Sequence, residues 1–427
     1  MHEICPVHRH PPLMVRTVVV ITLLLFIPFC HIFAALPQTQ SLGSCLNYLA
    51  LGLAVIAFPR MVSRISFRVV LLCSSGVVIY GLNYLLGPFA SAKWFMNTLG
   101  FLFVFAVISN YMKTVSRLQL TLLERYFDRL MLLLWGACAC ACFVTLYCYW
   151  DAIVAFTTTL RFNHSIVKLT QDYGLQKQAL GPFLAAVVLW HVVYWNSLGR
   201  VRKAAFLLFM VLSIPFFIGI RTLLLSLGLL WIFVLWGSRN ITVPTKCGLL
   251  ILVPLCVLFM AVWWEVDVAS LILRKYNRLP SVLFAVETFR EYPGGLGNGG
   301  YTPFVLARRD SLFSEYGIQA YGLHWFPLAP ESDIAYFIAS FGLLCPVFGL
   351  LYIYILSNSS YILHSCVPHR FEVFVLLFAV VLIFAGISQD FAGKLGWWTY
   401  LGAATGVIFR YCPAIHVAGG GVQILGR

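Results

Sequence analysis

Again and again along this chain, apolar residues run for about 20 positions without a charge, the length needed to cross the hydrocarbon core of a bilayer. The runs fall near residues 14–35, 44–58, 67–86, 94–112, 130–150, 180–198, 204–220, 222–237, 247–264, 334–356, 372–388 and 396–411. Lipid offers no partner to a bare backbone amide, and the runs lack the alternation of barrel strands, so each is expected to be a helix. The expected fold is an all-α polytopic integral membrane protein with about twelve transmembrane helices. Composition points the same way: of 427 residues, 61% are hydrophobic, 16% aromatic and only 10% charged. Mean hydropathy is +0.89. Such a chain lies far outside the soluble globular range.

The formal net charge of +14 is read as topology and anion binding. No basic run interleaved with stacking aromatics lies in a polar segment, so no nucleic-acid partner is expected. Alternate connections carry Arg9 and Arg16; Arg60, Arg64 and Arg68; Lys113, Arg117, Arg125 and Arg129; Arg200, Arg202 and Lys203; Arg239 and Lys246; Arg370; Arg410 and Arg427. The bias of Lys and Arg toward the inside assigns these connections, with both termini, to the cytoplasm. The first run imitates a secretory signal, with Phe33-Ala34-Ala35 as a weak cleavage site, but its length favours an uncleaved first helix. The 13 cysteines lie mostly within apolar runs and have no zinc-site spacing, so they read as small buried hydrophobes.

Two outside connections are long. Residues 151–179 carry Arg161, Asn163, His164, Lys168, Asp172 and Lys177. Residues 265–333 form the largest polar insertion, and a connection of that length in a compact protein is functional or disordered. Its Trp, Tyr and Phe content argues against disorder. The chain therefore divides into helices 1–9 over residues 1–264, a large outside loop over 265–333 between helices 9 and 10, and helices 10–12 with a short tail over 334–427.

Candidate chemistry concentrates around that loop. Arg221, in Gly219-Ile220-Arg221-Thr222, has apolar helix on both sides; it faces a water-filled cavity or an anion, or else snorkels from a tight hairpin. Arg274, Lys275 and Arg278 precede Phe289-Arg290-Glu291-Tyr292-Pro293-Gly294-Gly295-Leu296-Gly297-Asn298-Gly299-Gly300-Tyr301. Glycines there allow positive φ and close approach of backbone amides to a ligand, which makes Gly297 and Gly299 candidates for an anion-binding concavity. The plainer reading is a turn between two loop helices. With the cations Arg274, Arg278 and Arg290 nearby, a diphosphate becomes the natural partner. There is no GxxxxGK, so this is not a nucleotide loop.

Pro330-Glu331-Ser332-Asp333 opens the tenth helix. The two acids either complement its dipole or, for Glu331, provide a general base for a sugar hydroxyl. His324 is a second candidate base or a loop hydrogen-bonder. Aromatic residues of the loop, Tyr301 among them, either stack on sugar faces or anchor the chain at the membrane interface.

The run Gly219–Leu225, the Pro293–Gly300 turn, the segment Glu331–Gly342 and the large loop after the ninth helix resemble the O-antigen ligase and Wzy-type polysaccharide polymerase superfamily. The resemblance covers topology over the whole chain and motifs over roughly residues 215–345. It implies a GT-C-like integral membrane glycosyltransferase in the bacterial inner membrane, with a periplasmic active site. The donor it implies is an undecaprenyl-diphosphate-linked oligosaccharide, and a chain-length regulator and a flippase of the same pathway are implied partners. Arg221 matches the family's first arginine. Arg278, or alternatively Arg274, matches the second, ahead of the Pro-x-x-Gly-x-Gly stretch at Pro293, Gly295, Gly297 and Gly299. The family's His-Asn pair is replaced here by Glu331-Ser332, at the family's spacing from Gly342.

Arg221, Arg278 and Glu331 are therefore the expected catalytic residues, with Arg274, Arg290, Gly297, Gly299, His324 and Tyr301 binding substrate. No Asp-x-Asp metal pair occurs in the outside loops, so neither metal nor other cofactor is expected. Replacement of the histidine tilts the expectation from ligase toward polymerase. A lipid-linked glycan transporter is the more distant alternative, since such proteins show internal repeats and this chain has none.

Overall fold

The computed structural model describes residues 18–20, 22–26, 40–57, 65–148, 177–219, 221–237, 278–308, 332–386 and 395–412. No strand occurs among them. The helices are α1 (Gln40–Ala57), α2 (Phe67–Leu86), α3 (Ala92–Thr114), α4 (Arg117–Cys148), α5 (Lys177–Val193), α6 (Arg200–Gly219), α7 (Arg221–Gly237), α8 (Arg278–Glu291), α9 (Tyr301–Ala307), α10 (Asp333–Phe341), α11 (Cys345–Ser365), α12 (Arg370–Gly386) and α13 (Leu395–Tyr411). A π-helical turn, Thr22–Phe26, lies within the first predicted run. The predicted run at 247–264 lies outside the described residues.

Among the described residues, three stretches are long and apolar enough to cross a membrane: Phe67–Leu86, Ala92–Thr114 and Asp333–Ser365. On α2 and α11, Leu71, Val78, Leu82, Leu350 and Ile353 stand exposed. An apolar surface of this extent suits hydrocarbon rather than water. The chain is thus a membrane protein, helical throughout its described elements.

The third stretch is not one straight rod. Where a single tenth helix over 334–356 is expected, the chain breaks at Gly342, which takes φ 52, and turns back on itself. The rings of Phe337 and Phe348 stack at 4.2 Å, and the Tyr352 hydroxyl donates to Asp333 Oδ2 at 2.8 Å. In a continuous helix, 1.5 Å of rise per residue would hold the latter pair about 28 Å apart. α10 and α11 therefore form a helical hairpin, and α11 alone, with 21 residues, is about 31 Å long. α4 also differs from its predicted run, starting at Arg117 rather than near 130. Its added turns carry Glu124, Arg125, Asp128 and Arg129, a charged segment that hydropathy alone does not mark as helix.

The core is built on α3, α12 and α13. α12 is buried on nearly every side from Phe371 to Gly386, as expected of a helix apolar all round. α13 lies against α3 through Gly402 and Gly406: a Cβ on Gly402 would come within 2.9 Å of the Phe105 carbonyl oxygen, and one on Gly406 within 2.7 Å of Met112 Cβ. Small residues one turn apart let two backbones approach closely, the means by which helices pack where water cannot drive them together.

One end of the bundle collects charge. Arg202 makes a two-pronged contact to Asp128, at 3.0 and 2.8 Å, and Trp190 Nε1 donates to Asp128 at 2.9 Å. Glu372, fully buried, accepts from Arg410 at 3.1 Å and from the Tyr411 hydroxyl at 2.7 Å. His369 lies 3.4 Å from Glu124, Lys113 donates to Ser66 Oγ at 2.6 Å, and Arg68 donates to the Cys412 carbonyl at 2.7 Å. Residues from the connections with the Lys and Arg bias thus meet at one end. The glycine-rich turn lies at the other, beside the α2–α3 connection.

Candidate functional site

The Pro293–Gly300 turn is held between two helical hairpins. Its Leu296 N–H donates to the Ala339 carbonyl at 2.8 Å, Gly297 N–H to the Ser340 carbonyl at 3.1 Å, and Leu343 N–H returns to the Pro293 carbonyl at 2.9 Å. The first two bonds use carbonyls that the C-terminal turn of α10 cannot pair within itself. From the other hairpin, Phe89 N–H donates to the Leu296 carbonyl at 3.0 Å and Ser91 N–H to the Asn298 carbonyl at 3.1 Å. Gly295, Gly297 and Gly299 take φ of 85, 91 and 80. At Gly297, a Cβ would run into Ala90 Cα at 2.7 Å, and at Gly299 it would strike the Trp94 ring. Positive φ and missing side chains therefore serve close docking of the turn onto α2, α3 and α10.

Two asparagines lock this junction. Asn83 Nδ2 donates to the Ser340 carbonyl at 2.5 Å, and Asn83 Oδ1 accepts from Asn298 N–H at 2.8 Å. Asn298 Nδ2 donates to Thr98 Oγ1 at 2.8 Å, and Asn298 Oδ1 accepts from the Tyr336 hydroxyl at 2.5 Å. Each side-chain amide thus donates and accepts at once, which fixes its orientation. Both asparagines are buried.

Beside the junction, α8 and α9 enclose a second apolar cluster of Phe284, Ala285, Leu296, Tyr301, Phe304 and Val305, closed by Ala335 and Ala339 of α10. The described part of the large loop is thus folded helix docked on the bundle. At its surface, Arg308 donates to both oxygens of Glu291, at 2.6 Å to Oε2, and lies 4.8 Å from the Phe304 ring centroid. The Arg308 hydrogen bonds hold the Glu291 carboxyl below the usual carboxylate range.

The start of α10 carries a buried carboxylate. Ser332 is the N-cap, its hydroxyl accepting from Ala335 N–H at 3.1 Å. Asp333 follows, with no exposed surface, bonded by the Tyr352 hydroxyl and packed so closely on Gly386 that any side chain there would collide with it. A carboxylate at a helix N-terminus is stabilised by the dipole and the open amides.

The expected site residues divide as follows. Gly297, Gly299, Tyr301 and Arg290 all belong to the junction unit: Tyr301 is buried against Phe284, ring centroids 5.6 Å apart, and Arg290 is exposed in the last turn of α8. Gly297 N–H is engaged by Ser340. Arg221 opens α7 and Arg278 opens α8; their side chains lie outside the described residues, as do Arg274, His324 and Glu331 altogether. Among the described residues, no group of three or more His, Cys, Asp or Glu is placed to hold a metal. Asn83, Tyr336, Tyr352 and Gly386 are absent from the expected set. The one available signal was Asn83 itself, an amide near the end of an apolar run, where a polar side chain demands a partner. No family model matches the chain, and neither does any curated protein or solved structure compared with it.

Proposed function

We propose that this chain is a polysaccharide polymerase, joining undecaprenyl-diphosphate-linked repeat units at the periplasmic face of a bacterial inner membrane. The observation that carries this reading is the direct bonding of Leu296 and Gly297 to Ala339 and Ser340. It draws together two of the segments on which the resemblance rests, the glycine-rich turn and the helix that follows Glu331. A catalytic unit needs its phosphate-binding and proton-accepting parts in fixed relation, and this junction supplies a rigid frame for them. About twelve spans in a GT-C-like arrangement would hold the frame at the membrane surface.

In the proposed reaction the glycan on one lipid diphosphate is the donor. A hydroxyl at the non-reducing end of a second repeat unit attacks the donor's anomeric carbon as the bond to the phosphate oxygen breaks. Arg221 and Arg278, with Arg274 and Arg290 beside them, neutralise the departing diphosphate; a planar guanidinium matches phosphate oxygens and does so without a metal. Glu331 accepts the hydroxyl proton. Gly297, Gly299 and Tyr301 shape the turn under the diphosphate, and His324 contacts the glycan from the loop. A single displacement inverts the anomeric configuration. Glu331 in place of the family's histidine weakens a direct transfer of the ligase mechanism and favours polymerase over ligase.

The test supplies purified protein with undecaprenyl-diphosphate repeat units and no lipid A core, and resolves the glycans on a gel. A ladder of multiples is expected, lost in Arg221→Ala and Glu331→Gln while both variants stay folded and inserted. Transfer only after lipid A core is added would replace polymerase by ligase. Normal polymer length in either variant would remove that residue's role.

A further inference from the structure

Between α2 and α11 the bundle is open. The two helices part to leave a cleft of about 330 Å³, floored by Leu102 and Phe105 of α3 and by Trp398 and Phe409 of α13, a volume at the lower end of the range for small-molecule sites. Its lining is almost wholly apolar. Cys73 and Gly76 hollow the α2 wall, Leu351 forms part of the α11 wall, and Tyr80 with Phe348 closes one end. From the rise of α2 between Leu72 and Tyr80, the cleft extends about 12 Å along the helices. Its rims carry exposed Leu71, Val78, Leu350 and Ile353, so its mouth faces hydrocarbon once the chain is in a bilayer.

The two ends differ in charge. At the Tyr80 end the neighbours are the rings of Phe341, Phe348 and Trp398. At the other, the Arg68 guanidinium lies 5.8 Å from the centroid of Phe409, which lines the cleft. Arg68 also donates to the Cys412 carbonyl, and Lys113 donates to the hydroxyl of Ser66, two residues before Arg68. Among the described residues, no carboxylate lies within ion-pair distance of Arg68 or Lys113, although Arg202 and Arg410 each have one.

We infer that this cleft seats an acyl chain of an anionic glycerophospholipid, whose phosphate meets Arg68 and Lys113. An apolar cleft open to the bilayer fills with hydrocarbon, and two cations at one end select a negative headgroup over a zwitterionic one. The lysine and arginine bias assigns that end to the cytoplasmic leaflet. The lipid bridges α2 and α11, which enclose the cleft from opposite sides, and braces the hairpin that carries Asp333. This seat is independent of the reaction proposed above.

Native mass spectrometry of the full, delipidated chain tests it, with phosphatidylglycerol and phosphatidylcholine of identical chains as probes. Phosphatidylglycerol is expected to bind at least about fivefold more tightly, the worth of one interfacial cation. Arg68→Gln should weaken that preference and the double variant Arg68→Gln/Lys113→Gln erase it, and Ser75→Trp, which fills the cleft from α2, should reduce binding of both lipids. Equal binding of the two probes to the unaltered chain would overturn the assignment, a result that needs no variant to fold. Unchanged binding in folded Ser75→Trp would overturn it as well. Displacement of phosphatidylglycerol by equimolar undecaprenyl phosphate would make the cleft a substrate path and refute a resident phospholipid.

Discussion

Asn298 bears on more of the junction than its size suggests. Its backbone and side chain together meet Asn83, Ser91, Thr98 and Tyr336, so one residue ties the glycine-rich turn to α2, α3 and α10. Leucine has the same number and branching of side-chain heavy atoms but none of the polar ones. Asn298→Leu would remove the acceptor that the Tyr336 hydroxyl now meets and the donor that meets Thr98 Oγ1, both in a buried site. Loss of a buried hydrogen bond costs about 1–3 kcal/mol, so a loss of roughly 3 kcal/mol is expected in thermal unfolding of the detergent-solubilised protein. Arg290→Ala is the matched control: that side chain is exposed, and a surface change should stay within about 0.5 kcal/mol. Unchanged stability in Asn298→Leu would show that the network contributes nothing net. From sequence, the glycines at 295, 297 and 299 could be read as a turn with positive φ. What the turn docks against could not, because its partners, Asn83 and Ser340, are remote in the chain and only tertiary structure brings them near.

At the scale of the helix, the expected runs and the observed elements agree closely wherever hydrocarbon length sets the boundary. The run at 67–86 coincides with α2, and those at 222–237 and 396–411 fall within one residue of α7 and α13. Agreement fails where something other than hydropathy decides. α10 and α11 are apolar throughout, so nothing in their periodicity announces a fold-back. The break depends on Gly342 and on the bond from Leu343 N–H to the Pro293 carbonyl. The close approach of α13 to α3 did leave a signal, since Gly402 and Gly406 stand four residues apart in an apolar helix, but the spacing does not say which helix packs against it. Here propensity and packing make opposite predictions. Alanine is the better helix former by about 1 kcal/mol, yet a methyl on Gly406 meets the Ser109 carbonyl and Met112, and overpacking costs about 1–3 kcal/mol. Gly406→Ala should therefore destabilise, whereas Gly349→Ala on α11, where a Cβ meets nothing within 4 Å, should be neutral or mildly stabilising. Paired unfolding curves decide it; stabilisation of both variants would mean that α13 can move away from α3 at little cost.

Over the whole molecule, the two ends of the bundle do different work. Hydrogen-bonded turns and glycines fasten the end that carries the candidate site, while ion pairs fasten the other, where α2, α3, α4, α6, α12 and α13 begin or finish. The Lys and Arg of alternate connections were legible as a topological bias, but their partners were not: Glu372 and Asp128 lie in or beside apolar runs, and only the fold shows which cation each meets. Glu372 is the more deeply placed, with no exposed surface, and it also caps α12 by accepting from His369 N–H at 2.8 Å. Removing one member of a buried ion pair costs about 3–5 kcal/mol. Arg410 retains about a quarter of its side-chain exposure, at 24%, and keeps its bond to the Val115 carbonyl at 2.8 Å. The penalty for Glu372→Ala should thus fall near the lower figure, and Glu372→Gln, which still accepts from Tyr411, should lose less. Because the pair lies at the end remote from the junction, both variants should leave the glycan ladder intact below their lowered unfolding temperatures. Loss of the ladder in a fully folded Glu372→Gln protein would mean that the two ends are coupled, and that the charged end belongs to the working site rather than to the frame around it.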